Sequence, residues 1–572
     1  MRVRALSAAI ALVVGGLVVV APTVSEASPA GRFGYQPGPG RPRLSGAADP
    51  SLATLTGRAV PAGAASAPRA SDDVQANGDN KRDTDDQYGS GEGFPQNETA
   101  AAVNPTDPSN VLVGANDYEH VVDSVMGLYA SFDEGRTFSL SRFIPQVITP
   151  DRRMLGTGDP AIAFDRAGVA YSAVISFGRA DCDSYVAVSR SYDKGVTWSA
   201  PVGGESAGTG LVVGDGIVAH NGGPEDCRIF HDKEWIAAGP RPEGVELLPG
   251  TNPDHVGADR LYVVWTRFDF GEGGLGFNDA PIYLSMSDDE GRSWSPGMEI
   301  NGRAPFCEFQ FGDADGQCDE SQFAIPVTDP RTGRVYVAFE NFNTPSTVFN
   351  RYLVTHSDDG GQTWSRPVLA TRVVDGADTY PTCFGSQTLD LMCARVNANG
   401  NIDLDPRNGD LYLTWADNRN GSPTDTNTDV FVTTSRDGGA TWSPARNLTG
   451  TSEDDQWFPW LAVSPEGTVV VTYFDRRYNG PLRIDTSLSV STDAGATYST
   501  RRVSEVSWNP DFAFRLGTFI GDYNGLDVNA RTAFPAWTDA RFGERNEPGN
   551  NPPHQQSDVM VDAEPIPGAG GG

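Results

Sequence analysis

An all-β fold assembled from repeated four-stranded units is the architecture the sequence predicts, and three observations predict it. First, an eight-residue pattern, Ser-x-Asp-x-Gly-x-Thr/Ser-aromatic, recurs six times: Ser131 to Phe138 (SFDEGRTF), Ser191 to Trp198 (SYDKGVTW), Ser287 to Trp294 (SDDEGRSW), Ser357 to Trp364 (SDDGGQTW), Ser435 to Trp442 (SRDGGATW) and Ser491 to Tyr498 (STDAGATY). Second, a hairpin with an Asp/Asn-Pro or Gly turn precedes each copy, as in DPRTGRVYVAFENF and DPRNGDLYLTWADNR. A seventh such unit, VNARTAFPAWTDAR, follows the last copy. Third, 65 glycines and 41 prolines in 572 residues make about 19% against a usual share near 12%. Such punctuation between Val-, Tyr-, Phe- and Trp-rich runs excludes a helical bundle.

Each unit reads as strand, turn, strand, loop, strand, repeat turn, strand, which is one blade of a β-propeller. The units fall at about 97–148, 157–206, 231–302, 320–373, 394–450, 456–506 and 514–566, the last without a repeat turn or a fourth strand. Within the repeat, Asp and Ser/Thr oxygens accept backbone N–H bonds across a tight turn, Gly takes the left-handed position, and the aromatic tucks between blades. The six aspartates are therefore assigned to structure and not to chemistry.

The flanks have their own signatures. Arg2 and Arg4, an apolar run from Ala5 to Val20 and Ser25-Glu26-Ala27 make residues 1–27 a secretory signal peptide. Residues 28–96 read as a disordered Gly/Pro/Ala-rich linker or pro-segment, 97–566 as the propeller and 567–572 as a flexible Gly-rich tail. No later apolar run approaches the roughly 20 residues of a spanning helix, so no membrane span is expected. The six cysteines suit an exported protein. Short separations favour Cys307–Cys318 and Cys383–Cys393, leaving Cys182–Cys227, among the fifteen pairings that six cysteines allow. A net charge of −32 excludes nucleic acid as a partner. Lysine occurs only at Lys81, Lys194 and Lys233, so nearly every basic residue is Arg and a single Arg says little.

The repeat resembles the Asp-box, or bacterial neuraminidase repeat, of the sialidase superfamily. That resemblance spans roughly residues 97–566. Sialidases have six blades, so a six-bladed closure in which terminal segments share a blade is the alternative to seven. It implies a secreted, sialidase-like exo-glycosidase that hydrolyses terminal, acidic sugars from glycans; a non-catalytic glycan- or protein-binding propeller is the alternative.

Because blade strands run up and down, the repeat turns mark one face, and the loops after each second strand gather on the other. That face collects Asn116-Asp117-Tyr118, Arg267-Phe268-Asp269, Glu340-Asn341, Asp417-Asn418-Arg419, Asp475-Arg476-Arg477 and Asp539-Ala540-Arg541. The first-strand starts Asp159, Asp232-Lys233-Glu234-Trp235, Glu320, Asp455-Gln456-Trp457 and Asp522-Tyr523 join them. Arg forks, aromatic faces and carboxyl groups suit an acidic sugar. Carried over from the family, the acid would be Asp117 or Asp159, Glu340 would activate Tyr523 as nucleophile, and Arg267, Arg419, Arg476 and Arg541 would hold the substrate. The family's early Phe-Arg-Ile-Pro motif is missing; Arg142-Phe143-Ile144-Pro145 has another order and follows the first repeat. In the Trp-x-Asp-x-Arg loops, each Asp could instead pair with its own Arg and cap the loop.

No cofactor and no catalytic metal are expected: HExxH and paired ligand spacings are missing, as is a Gly-x-Ser-x-Gly elbow. Asp313 to Asp319 and Asn397 to Asp403 alternate oxygen side chains as calcium loops do, but lack the bidentate Glu. Both are read as solvated turns, with structural calcium as the weaker alternative.

Overall fold

The computed structural model describes residues 73–77 and 95–568, apart from loop stretches at 119–123, 148–154, 179–180, 202–214, 272–276, 308–315, 343–347, 451–453, 515–516 and 544–555. The signal peptide, most of the 28–96 segment and the last four glycine-rich residues lie outside the described residues.

Seven antiparallel sheets form a seven-bladed propeller, and among the described residues the only helical turns are three short 3-10 segments, such as Pro305–Cys307. Blade 1 comprises Gln96–Val103, Val111–Asp117, Val125–Ser131 and Leu140–Phe143, each strand paired with the next. Blades 2, 3 and 4 begin at Gly156–Phe164, Ile229–Gly239 and Ser321–Thr328. Blades 5, 6 and 7 begin at Ile402–Leu404, Gln456–Val463 and Gly525–Val528. These first strands stand next to one another around the axis. Second strands such as Val111–Asp117 and Leu411–Asp417 are buried along their whole length, because a neighbouring blade covers each face of the sheet. Their apolar runs therefore do not alternate with polar residues.

Both closure expectations meet in blade 7. The seventh unit is a real blade, which rules out the six-bladed count, and its outer strand comes from the other end of the chain. Val74–Gln75 pairs with Asp558–Val561 in the register Val74↔Val561 and Gln75↔Met560. Asn77 fixes the join by donating from Nδ2 to Asp558 Oδ1 at 2.9 Å. The stretch read as linker thus holds a strand of the ring. At the other end, Pro567 accepts a bond from Thr468 Oγ1 at 2.9 Å, so the tail packs on blade 6 at its start.

All six repeats close the turn from third to fourth strand in the same way. In blade 4, Ser357 Oγ donates to Asp359 Oδ1 at 2.7 Å and accepts from Gly361 N at 2.8 Å. Asp359 then accepts from Thr363 N and Thr363 Oγ1, at 2.8 and 2.6 Å. Gly361 has φ 92°, and a Cβ there would sit 2.4 Å from Met286 Sδ of blade 3, so the turn requires glycine for both conformation and space. The Trp364 indole donates to Gly361 O at 3.1 Å.

Candidate functional site

On the face away from the repeat turns, five first strands share one irregularity. Blades 1, 2, 3, 4 and 6 carry a β-bulge whose residue adopts positive φ: Glu98 (57°), Asp159 (58°), Lys233 (51°), Phe323 (57°) and Phe458 (50°). None is glycine, and left-handed backbone costs such residues about 1–2 kcal/mol each. The bulges recur at one level of the ring, where the first strands line the axis.

Blades 1, 2, 3 and 7 place charges at the axis. The Lys233 ammonium stands 3.4 Å from the centroid of the Tyr523 ring, a cation–π contact in a buried setting. Asn116 links two bulges by donating to Glu98 Oε2 at 2.5 Å and accepting from Asp159 N at 2.8 Å. Burial, then the Asp159 charge, pushes the Glu98 and Glu234 carboxyls well above the usual range. Tyr523 is raised for the same reasons, with burial first. Its hydroxyl is 3.5 Å from Pro160 O, and its ring packs against Trp235 and Trp460.

A narrow cleft of about 30 Å³, enough for one or two waters, adjoins this group. Its walls carry Gln322, Glu340, Asp375, Gln387, Arg395 and Asp522. Glu340 comes from the second strand of blade 4, Val335–Asn341. Asn350 Nδ2 donates to its Oε1 at 2.9 Å, while Oε2 has no hydrogen-bond partner. Burial, aided by the Asp417 charge and opposed by the Asn350 bond, pushes this carboxyl up to about 7. Burial and Glu340 likewise raise Asp375, which accepts from Gln387 Nε2. Arg395 holds Asp522 through two nitrogens, with Nε at 2.8 Å from Oδ1.

The connection from blade 4 to blade 5 builds half of this cleft. It carries the hairpin Thr382–Cys383 and Ser386–Gln387 and is tied by Cys383–Cys393. The other disulfides are Cys182–Cys227 and Cys307–Cys318, so all three fall in loops of this face, as the spacing predicts. Further along, Asn401 exchanges two bonds with Leu461 and Asp403 accepts from Val463 N at 2.7 Å. Asn399 and Asn401 are buried, which corrects the reading of Asn397 to Asp403 as a solvated turn: its oxygens and amides stitch blade 5 to blades 6 and 7. Asp313 lies outside the described residues.

The nominated residues separate into three groups. Tyr523 and Asp159 lie in the axial group and Glu340 in the cleft wall. The charges acting most on Tyr523 are Asp159, Glu98, Glu234 and Asp522, whereas Glu340 acts on Tyr352, its cross-strand neighbour. Tyr523 thus sits among the axial carboxyls, and Glu340 stands on the cleft wall opposite Tyr352. Asp117 is held by Gln96 Nε2 at 3.1 Å and Tyr129 Oη at 3.2 Å.

Three of the four arginines are held in close ion pairs. Arg419 forks onto Asp417 at 2.8 and 2.6 Å and stacks on Phe431. Arg541 binds Asp539 and Asp73 at 2.7 and 2.6 Å. Arg476 binds Asp455 at 2.5 Å and the Asp390 carbonyl at 3.0 Å. Arg267 lies over Tyr283, 3.9 Å from Asp269. Trp415 and Trp537 also donate their indole N–H to Asp417 and Asp539, so the Trp-x-Asp-x-Arg loop is a self-contained staple. Sequence reasoning missed Arg395, whose only signal is its position two residues after Cys393.

No family model matches the chain, and no curated protein sequence matches it. Among solved structures it is similar to the Hadza microbial sialidase Hz136, with 14% identity, TM-score 0.38, and 82% of this chain and 66% of that one covered. It is also similar to the phage phi92 endosialidase, at 11% identity and TM-score 0.41, with 83% and 68% covered. A third is a PL25 ulvan lyase, at 10% identity and TM-score 0.43, with 82% and 94% covered.

Proposed function

We propose that the chain is a secreted glycan-cleaving protein that works at the cleft between blades 4, 5 and 7, with Glu340 as proton donor. One observation carries this reading: a buried carboxyl on the cleft wall, held by one oxygen, open at the other and raised to about 7. Such a group keeps a proton near neutral pH and can deliver it to a departing sugar oxygen. Asp522, ion-paired to Arg395 on the same cleft, is the partner carboxylate of a two-carboxylate scheme. Terminal acidic sugars are the finer substrate assignment within it. The three disulfides suit an oxidising compartment, and no described helix is long and apolar enough to cross a membrane.

The second reading, binding without turnover, draws on Arg419, Arg476 and Arg541, whose forks are already taken by loop carboxylates. Release of a fluorophore from a panel of sialosides, uronides and arabinosides by the mature protein separates the two. Turnover that drops in Glu340→Gln supports cleavage at this cleft. Turnover that survives Glu340→Gln sinks the assignment, and none at all on substrates that still bind leaves the binding reading.

A further inference from the structure

Blade 4 holds a second feature, one strand outward from the Glu340 wall. Its third and fourth strands, Asn350–Ser357 and Val368–Val373, pair Arg351 directly opposite Arg372. Directly opposed like charges destabilise a sheet. Relief is normally close at hand in this chain, where Asp and Glu number 75 against 43 Lys and Arg, and Arg419, Arg476 and Arg541 all sit in ion pairs. Yet among the described residues neither Arg351 nor Arg372 has a carboxylate partner. Each instead lies over an aromatic ring, Arg351 at 5.7 Å from the Phe306 centroid and Arg372 at 4.8 Å from that of Phe349. Such stacking orients a guanidinium without using its N–H donors. Burial, and then the Arg372 charge, also lowers Arg351 to about 10.

We infer that Arg351 and Arg372 form an oxyanion subsite that takes the carboxylate or sulfate group of a glycan chain lying across blade 4 from the cleft. Two adjacent forks present paired N–H donors, which fit either oxyanion bidentately. The register places them at the same end of the blade as Glu340 but on the other face of the sheet: Arg351 pairs with Asn341, next in sequence to Glu340, and follows Asn350, which holds the Glu340 carboxyl. A chain bound at both places would span several sugar units, so the subsite selects an extended acidic glycan over a small glycoside. The carrier chain rests on the glycan reading of the cleft; the anion does not.

The test measures binding by calorimetry in the Glu340→Gln protein, so that turnover plays no part. The probes are a carboxylated, a sulfated and a neutral hexasaccharide. At least one anionic form is expected to bind tenfold or more tighter than the neutral form. That preference should vanish in Arg351→Gln/Arg372→Gln and fall in Arg372→Lys, which keeps the charge and loses the fork. The exposed Arg372→Gln alone, with an unchanged melting curve, guards against misfolding. Equal affinity for all three probes, or an anion preference kept within twofold by the double variant, overturns the inference. Tight anion binding in a protein that cleaves nothing leaves the subsite standing and removes the catalytic reading.

Discussion

The two faces of the ring treat the same residue type in opposite ways. On the repeat face an aspartate recurs at one position of six turns, from exposed at Asp437 and Asp493 to buried at Asp289, and accepts at least three hydrogen bonds that favour its charge. Asp437 and Asp493 are thereby lowered to about 2. On the opposite face the carboxyls of Glu98, Glu234, Glu340 and Asp375, contributed by different strands and connections, are buried and raised. Repetition marks what every blade needs in order to fold. Chemistry sits where the blades differ, since a site needs different groups converging on one point.

The largest way to break this contrast is catalytic. Glu340→Gln should cut glycoside release by roughly 10²–10⁴-fold, whereas Asp359→Asn on the other face should leave the rate within twofold; initial rates on one substrate check both. The wild-type rate should also fall as pH rises through about 7, where Glu340 loses its proton.

Next comes the clamp on the cleft loop. Replacing Cys383 and Cys393 by Ser frees the loop between them and should cost about 2–3 kcal/mol in denaturant unfolding. Because the same connection carries Gln387 and Arg395, ligand affinity should fall with it.

A smaller stability loss is expected from the repeat face. Gly361→Ala forces a left-handed alanine against Met286 and should cost about 2 kcal/mol with activity retained.

The smallest effect is one of sign. Asp437 is lowered, so its contribution is present above the usual 3.8 and is lost as pH falls through about 2. Asp437→Asn should therefore show its deficit at pH 6 and lose it near pH 2. Glu340 is raised, so its protonated form favours folding at acid pH, and that contribution disappears between the usual 4.5 and about 7. Glu340→Gln should accordingly gain on wild type between pH 5 and 8. Melting curves across pH that show the same sign for both variants would erase the distinction between the faces.

How much of this could be read from the residues alone follows the same division. The repeat turns were legible to the atom, because Ser, Asp, Gly and Thr act on one another within eight residues. Two cysteine pairs were legible from short separations, and the third was what they left over. Val74–Gln75 was not: two residues in an Ala- and Pro-rich stretch carry no period, and their partner strand is more than 480 residues away. The Trp-x-Asp-x-Arg loops misdirected the search for a carboxylate clamp, since a fork two residues from its own aspartate satisfies itself before any substrate arrives. Arg351 and Arg372 went unnoticed because nothing in a linear reading shows that two arginines on separate strands stand opposite one another.

The outer strand of blade 7 sets the order in which the molecule can be finished. Val74–Gln75 leaves the ribosome before any blade exists, and its partner Asp558–Val561 emerges near the end, so the ring stays open until synthesis is almost complete. Six blades can stack as they appear, but the seventh needs both ends of the chain. A protease that trims residues up to about 70 should spare the folded ring, while one that removes residues 73–77 would unzip it at a single seam.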